Sequence, residues 1–271
     1  MRLLCVAFLA LLLTACYEER IGCTDPDSAN YDLQADAACP DCCTYPALSV
    51  RLTPVWGADN VVVGQSYADG AGNTFQLVRF RYYLGDLGLL SPTAQLPLPN
   101  RPVNLGLLEG VDTVTVTLNG NYLLASLAPT TTNVGTLRTG TEALDGLYGT
   151  YGLPGQYRTV VPATAPTGDA LRTQPGRLNF RDGQGYVQTR LEYTLVPGGD
   201  TLSVSSYGSR PFILDFGQAV TPAQGFNLRL DVEARLDLLL GNINLAADSA
   251  AVAEALDQEV DFLFATGLVQ Q

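Results

Sequence analysis

Residues 226–238 read FNLRLDVEARLDL. Phe226, Leu228, Leu230, Val232, Ala234, Leu236 and Leu238 share one side of an extended chain; Asn227, Arg229, Asp231, Glu233, Arg235 and Asp237 share the other. Successive side chains of a strand point to opposite faces, so this period of two marks a strand with one face in a core and one in water. The pattern recurs upstream. Ala47 to Trp56 alternates, Phe75 to Leu84 reads FQLVRFRYYL, and Asp112 to Leu118 reads DTVTVTL before an Asn119-Gly120 turn signal. Tyr186 to Leu195 reads YVQTRLEYTL, and Thr201 to Phe216 carries two shorter runs. Short strands joined by Gly, Pro and Thr predict an all-β fold, an antiparallel β-sandwich. One C-terminal helix is expected to pack on it. Val252, Leu256, Val260 and Leu263 recur at helical spacing, with Asp248 or Ser249 as N-cap.

Composition narrows the function. The 271 residues carry a formal charge of −12, all fifteen basic residues are Arg, and there is no His. An acidic surface without a basic stripe disfavours nucleic acid. The missing His removes the Ser-His-Asp triad, the Cys-His pair and every imidazole metal site. Glycoside hydrolysis needs only two carboxylates, for which Glu109, Glu142, Asp182 and Glu192 are the candidates. On so acidic a protein these read first as solvating groups. The expectation is a non-catalytic protein, with a glycan-processing hydrolase as the remote alternative.

The chain opens with Met1-Arg2 and an apolar run from Leu3 to Leu13, the length of a signal-peptide core and too short to span a bilayer. Leu13-Thr14-Ala15-Cys16 resembles the bacterial lipobox. Residues 1–15 are therefore read as a lipoprotein signal peptide and Cys16 as the acylated N-terminus, anchoring the protein to the membrane. Removing that peptide removes Arg2 and takes the charge from −12 to −13. The residue after Cys16 is Tyr17, not the Asp associated with inner-membrane retention, so the outer membrane is expected. Glu18-Glu19 reads either as a signal for surface export or as a solvated tether.

Residues 22–46, GCTDPDSANYDLQADAACPDCCTYP, belong to a tether and Cys-rich module spanning 16–46. Gly22 to Pro26, Ala29-Asn30-Tyr31 and the closing cysteines resemble short modules of bacterial surface lipoproteins. Too short for a core, the segment needs a staple. A bridge between adjacent Cys42 and Cys43 would be strained. Two arrangements remain: Cys23–Cys42 with Cys39–Cys43, or Cys23–Cys43 with Cys39–Cys42. Cys39-Pro40-Asp41-Cys42 also has redox or soft-metal spacing, although no βαβ context surrounds it. Asp25, Asp27, Asn30, Asp32 and Asp36 are the candidate Ca²⁺ ligands, against a solvated acidic loop; Asn30 stands where an EF-hand loop needs Gly.

Across residues 47–271 three stretches resemble the MbnP-like domain family. They are LSVRLTPVWG followed by the strand ending in Tyr82-Tyr83-Leu84-Gly85-Asp86-Leu87; LPGQYRTVV, with the family's Pro-Gly-x-Tyr strand start at Pro154 to Tyr157; and the run through Gly185-Tyr186 to Leu191-Glu192. The resemblance implies a sandwich and an association with copper handling in the cell envelope. Phe180 and Asp182 stand where the family often has Trp, one of which becomes a copper ligand in copper-binding members. The histidines of that site have no counterpart here. Copper is therefore not assigned to any residue. In an extended strand Tyr82 and Tyr83 point to opposite faces, so one is expected in the core and one at the surface. The combined expectation is an envelope lipoprotein with a binding domain for metal or a metal-carrying ligand, as the resemblance implies, or for an extracellular ligand or envelope protein. The alternative is an adhesive surface protein with calcium in its acidic stalk.

Overall fold

The computed structural model describes residues 18–98, 101–138, 140–173, 179–181, 183–258 and 261–271. Cys16 and the signal peptide, Asp182 and Val260 lie outside them. The principal strands are β1 (Ala47–Trp56), β2 (Thr74–Leu90), β3 (Pro102–Glu109), β4 (Asp112–Asn119), β5 (Thr130–Thr136) and β6 (Leu144–Tyr151). They continue with β7 (Thr189–Thr194), β8 (Leu202–Ser206), β9 (Arg210–Val220), β10 (Leu228–Arg235) and β11 (Leu263–Gln270). Helices α1 (Leu236–Leu240) and α2 (Ser249–Leu256) lie between β10 and β11.

Two sheets face each other. One runs β8-β7-β2-β6-β9, with three short strands paired to β2; the other runs β5-β1-β10-β11. The alternation of β10 is realised in full: Leu228, Leu230, Val232 and Ala234 are buried, and the residues between them are half-buried. Their partners in the core are Leu48, Val50 and Leu52 of β1 and Phe75, Leu77, Phe80, Tyr82 and Leu84 of β2. Burying a side chain of this size contributes roughly 1.5–3 kcal/mol. The β1–β10 pairing is parallel, Leu228 opposite Leu48, within an otherwise antiparallel main sandwich.

Three expectations need correction. Alternation persists in sequence to Leu238, but the strand stops at Arg235 and α1 follows, burying Leu236, Leu239 and Leu240. The run of leucines closing on Gly241 favours a helical turn once the chain leaves the sheet. The C-terminal helix starts as expected, with the Asp248 carboxylate accepting from the N–H groups of Ala250 and Ala251. It ends at Leu256, however, and Leu263 opens β11, opposite Ala234. Pairing with the β10 edge supplies backbone hydrogen bonds that a longer helix would forgo. Finally, Asn119-Gly120 does not form a hairpin: β4 returns from β3 through Gly110-Val111, with Gly110 in the left-handed region.

Tyr82 and Tyr83 do point to opposite faces, but both are buried. Tyr82 joins the sandwich core. Tyr83 lies in a second apolar cluster on the outer side of the larger sheet, with Leu105 of β3, Tyr122, Leu153, Tyr157, Val160, Leu171 and Tyr186. The β3–β4 ribbon and residues 153–173, 179–181 and 183–186 thus form an outer layer, the third layer of the described residues. Strand β2 reaches both cores because its successive side chains point to opposite faces of the sheet, Tyr82 into one core and Tyr83 into the other. Asp86 adopts φ +50° at the bulge between β2 and β6, a conformation Asp and Asn tolerate better than other side chains. Nearby, a Cβ on Gly88 would stand 2.3 Å from the Tyr148 ring, so no larger residue fits.

Candidate functional site

The outer layer carries the site. Its base is the Tyr83 cluster, in which every phenol has a partner. Tyr83 donates to the Ala170 carbonyl (2.9 Å) and accepts from the Asn179 amide (3.1 Å). Tyr186 donates to the Leu171 carbonyl (2.8 Å), and Tyr157 to the Asn119 carbonyl. Tyr122 donates to the buried carboxylate of Asp169 (3.0 Å). The rings of Tyr83 and Tyr186 meet edge to face at 5.9 Å, and Phe180 meets Tyr186 at 5.3 Å. Burial raises all four phenols above the ordinary tyrosine range, and for Tyr122 the Asp169 charge adds to it. These phenols are neutral, fixed and already hydrogen-bonded. They form a support rather than a set of reactive groups.

On this support lies a groove of about 700 Å³. One wall is residues 158–163, which add to the edge of β3: Leu108 N–H donates to the Thr159 carbonyl and Val161 N–H to the Gly106 carbonyl, both at 2.8 Å. The opposite wall is Phe180 and Gly183 to Gly185. Gly185 has φ +85°, and a Cβ there would stand 3.2 Å from the Arg158 carbonyl, so glycine permits this close approach. Leu108, Val160, Val161, Pro162, Ala163 and Phe180 make the lining mainly apolar. Arg158 and Gln184 also line an adjoining hollow of about 240 Å³. Gln184 is oriented by the Tyr207 hydroxyl, which donates to its Oε1 at 2.7 Å.

The structure brings some of the sequence-selected residues together here and not others. Tyr83, Gly185 and Tyr186 converge on this layer, whereas Tyr82 and Leu84 belong to the sandwich core. The Pro154 to Tyr157 motif does not start a strand: Gly155–Tyr157 is a 3₁₀ turn that places Tyr157 in the base. Leu108, Pro162 and Ala163 were not singled out by the sequence, and Arg158, Val160 and Val161 entered only as the tail of the LPGQYRTVV stretch, because the groove arises from tertiary pairing of segments that have no shared periodicity.

Glu192 sits apart, on the outer face of β7. It is buried between Arg79 and Arg190, with both ion pairs at 2.8 Å. Two guanidinium groups, not a second acid, are its partners.

The Cys-rich module has Cys23 bridged to Cys43, the first bridge of one of the two expected arrangements; its second bridge, Cys39–Cys42, is not formed, and both of those cysteines are free. The hydrogen bond with Cys39 raises the Cys42 thiol above its ordinary range, the opposite of what an activated thiolate needs. The oxygen-bearing residues are spread over separate contacts. Asp25 accepts from the Asp27 N–H and the Tyr45 hydroxyl; Asn30 bonds the backbone of Cys42 and Thr44. Asp32 pairs with the Arg20 side chain at 2.9 Å, and Asp36 accepts from the Arg20 backbone. Asp27 reaches the sandwich, accepting from Gly140 N–H and the Gln224 amide. Among the described residues, no three acidic or cysteine side chains converge as metal ligands would. The module is therefore docked on the sandwich at Asp27 and at Tyr45, whose ring lies 3.8 Å beneath the Arg138 guanidinium.

No protein-family model matches the chain, and neither does any curated protein sequence. Among solved structures, MbnP from Methylosinus trichosporium is similar, at 13% identity over 78% of this chain and 82% of that chain, with a TM-score of 0.44. That likeness assigns no residue, ligand or activity to this chain.

Proposed function

We propose that the chain is a lipid-anchored, non-catalytic binding protein of the outer membrane, and that its outer layer holds a small, largely apolar ligand. The observation that carries this reading is the groove between residues 158–163 on one side and Phe180 and Gly183 to Gly185 on the other. It is a concave, mainly apolar surface on a rigid base of satisfied tyrosines, with few polar groups at its rim. Such composition and preorganisation are what small-molecule sites require. Metal handling enters in one form: a metal carried within an organic ligand. The chain has no His, and among the described residues neither the acids of the module nor the neighbouring thiols of Cys39 and Cys42 belong to a group of three metal-ligating side chains.

The test is mass spectrometry, for organic molecules and for metals, of mature protein purified from its native envelope without chelators. A stoichiometric organic ligand in the wild type, lost in an Ala163→Trp variant that fills the groove, is expected. Stoichiometric calcium without an organic ligand would instead favour an adhesive surface protein, and protein carrying neither would count against both.

A further inference from the structure

Resting on the groove as the binding site, we infer that its ligand is an amphipathic monoanion, with its apolar body against Val160, Pro162 and Phe180 and its anionic head at Arg158. Among the described residues, Arg51 and Arg158 are the arginines whose side chains have no hydrogen bond, ion pair or ring contact; the Arg158 backbone N–H donates to the Gly155 carbonyl. Acid outnumbers base by 27 to 15 in this chain, so an arginine left unpaired is unusual. Both are exposed; Arg51 stands on a strand of the smaller sheet, whereas Arg158 lines both the groove and the adjoining hollow. Gln184, on the opposite wall, lines the same two spaces. Its carbonyl oxygen is occupied by Tyr207, which leaves its NH₂ as a second donor. A guanidinium and an amide NH₂ facing one space at the end of an apolar trough suit a carboxylate or similar head group. The long-range field of a protein with net charge −12 repels anions, so retention of one depends on this local cation.

Titration calorimetry of the mature protein with decanoate and with decan-1-ol, both below their aggregation limits, tests the inference. Decanoate is expected to bind roughly tenfold more tightly than the alcohol, as one partly exposed charge-assisted contact allows. Arg158→Gln should bring decanoate down to the affinity of the alcohol, while Ala163→Trp should abolish both; circular dichroism confirms that each variant is folded. Equal affinities in the wild type, or a preference that survives Arg158→Gln, would overturn the anion assignment and leave the groove in place. Failure of both compounds to bind the wild type would overturn the groove itself.

Discussion

Single residues set the pH limits of this fold. Tyr83, Tyr122, Tyr151 and Tyr186 are buried, and burial raises each phenol above the ordinary range. A group whose folded pKa is raised contributes stability that is complete below the unfolded value, about 10 for tyrosine, and is lost as pH rises towards the folded one. Ultraviolet titration is therefore expected to show two phases: exposed tyrosines ionise near their ordinary value, and buried ones ionise only with cooperative unfolding. A single phase near the ordinary value would place these phenols in water. Asp69 governs the acid side. Burial alone would raise its carboxyl, but hydrogen bonds from the Asn73 side chain and from the Leu245, Asn73 and Ala71 N–H groups outweigh that and lower it. Its contribution is present above about pH 4 and is lost as pH falls through the folded value. Asp69→Asn should cost about 1–3 kcal/mol at neutral pH and flatten the acid limb of stability against pH in urea melts.

Elements show how far a sequence can be read. The strand grammar of β1, β10 and the first half of β2 was legible because one face meets a continuous core and a period close to two survives; from Tyr82 onward β2 is largely buried on both faces. The outer layer was not legible. Its members come from a short ribbon, 3₁₀ turns and irregular segments, and they bury Tyr83, Tyr122, Tyr157 and Tyr186 without any period to announce it. The break of β10 into α1, and of the expected long helix into α2 and β11, has a related cause: sheet pairing and core closure override a local pattern. The Cys-rich module was legible in its need for a staple but not in its docking. Removing the Cys23–Cys43 bridge by serine substitution reopens a loop spanning 20 residues of sequence separation and should cost about 3 kcal/mol in a denaturant melt; Cys39→Ser should cost much less. Asp27→Ala removes both hydrogen bonds that tie the module to the Gly140 and Gln224 loops. Limited proteolysis should then cut near residue 46 faster than in the wild type. An unchanged rate would mean that the Tyr45–Arg138 contact suffices for docking.

At the scale of the whole molecule, three layers divide the work. The sandwich supplies stability, and the module fixes the N-terminal approach to the sandwich. The outer layer provides a preformed apolar groove whose rim carries one unpaired cation. Hydrogen exchange read by mass spectrometry locates ligand binding without knowing the ligand. Protein taken directly from the envelope should be compared with the same protein unfolded, dialysed and refolded. The predicted result is protection in the envelope-derived sample confined to residues 158–163 and 179–185, and lost after refolding. Protection centred on the Cys-rich module or on the sandwich edges, or identical exchange in the two samples, would contradict the placement of the binding site in the outer layer.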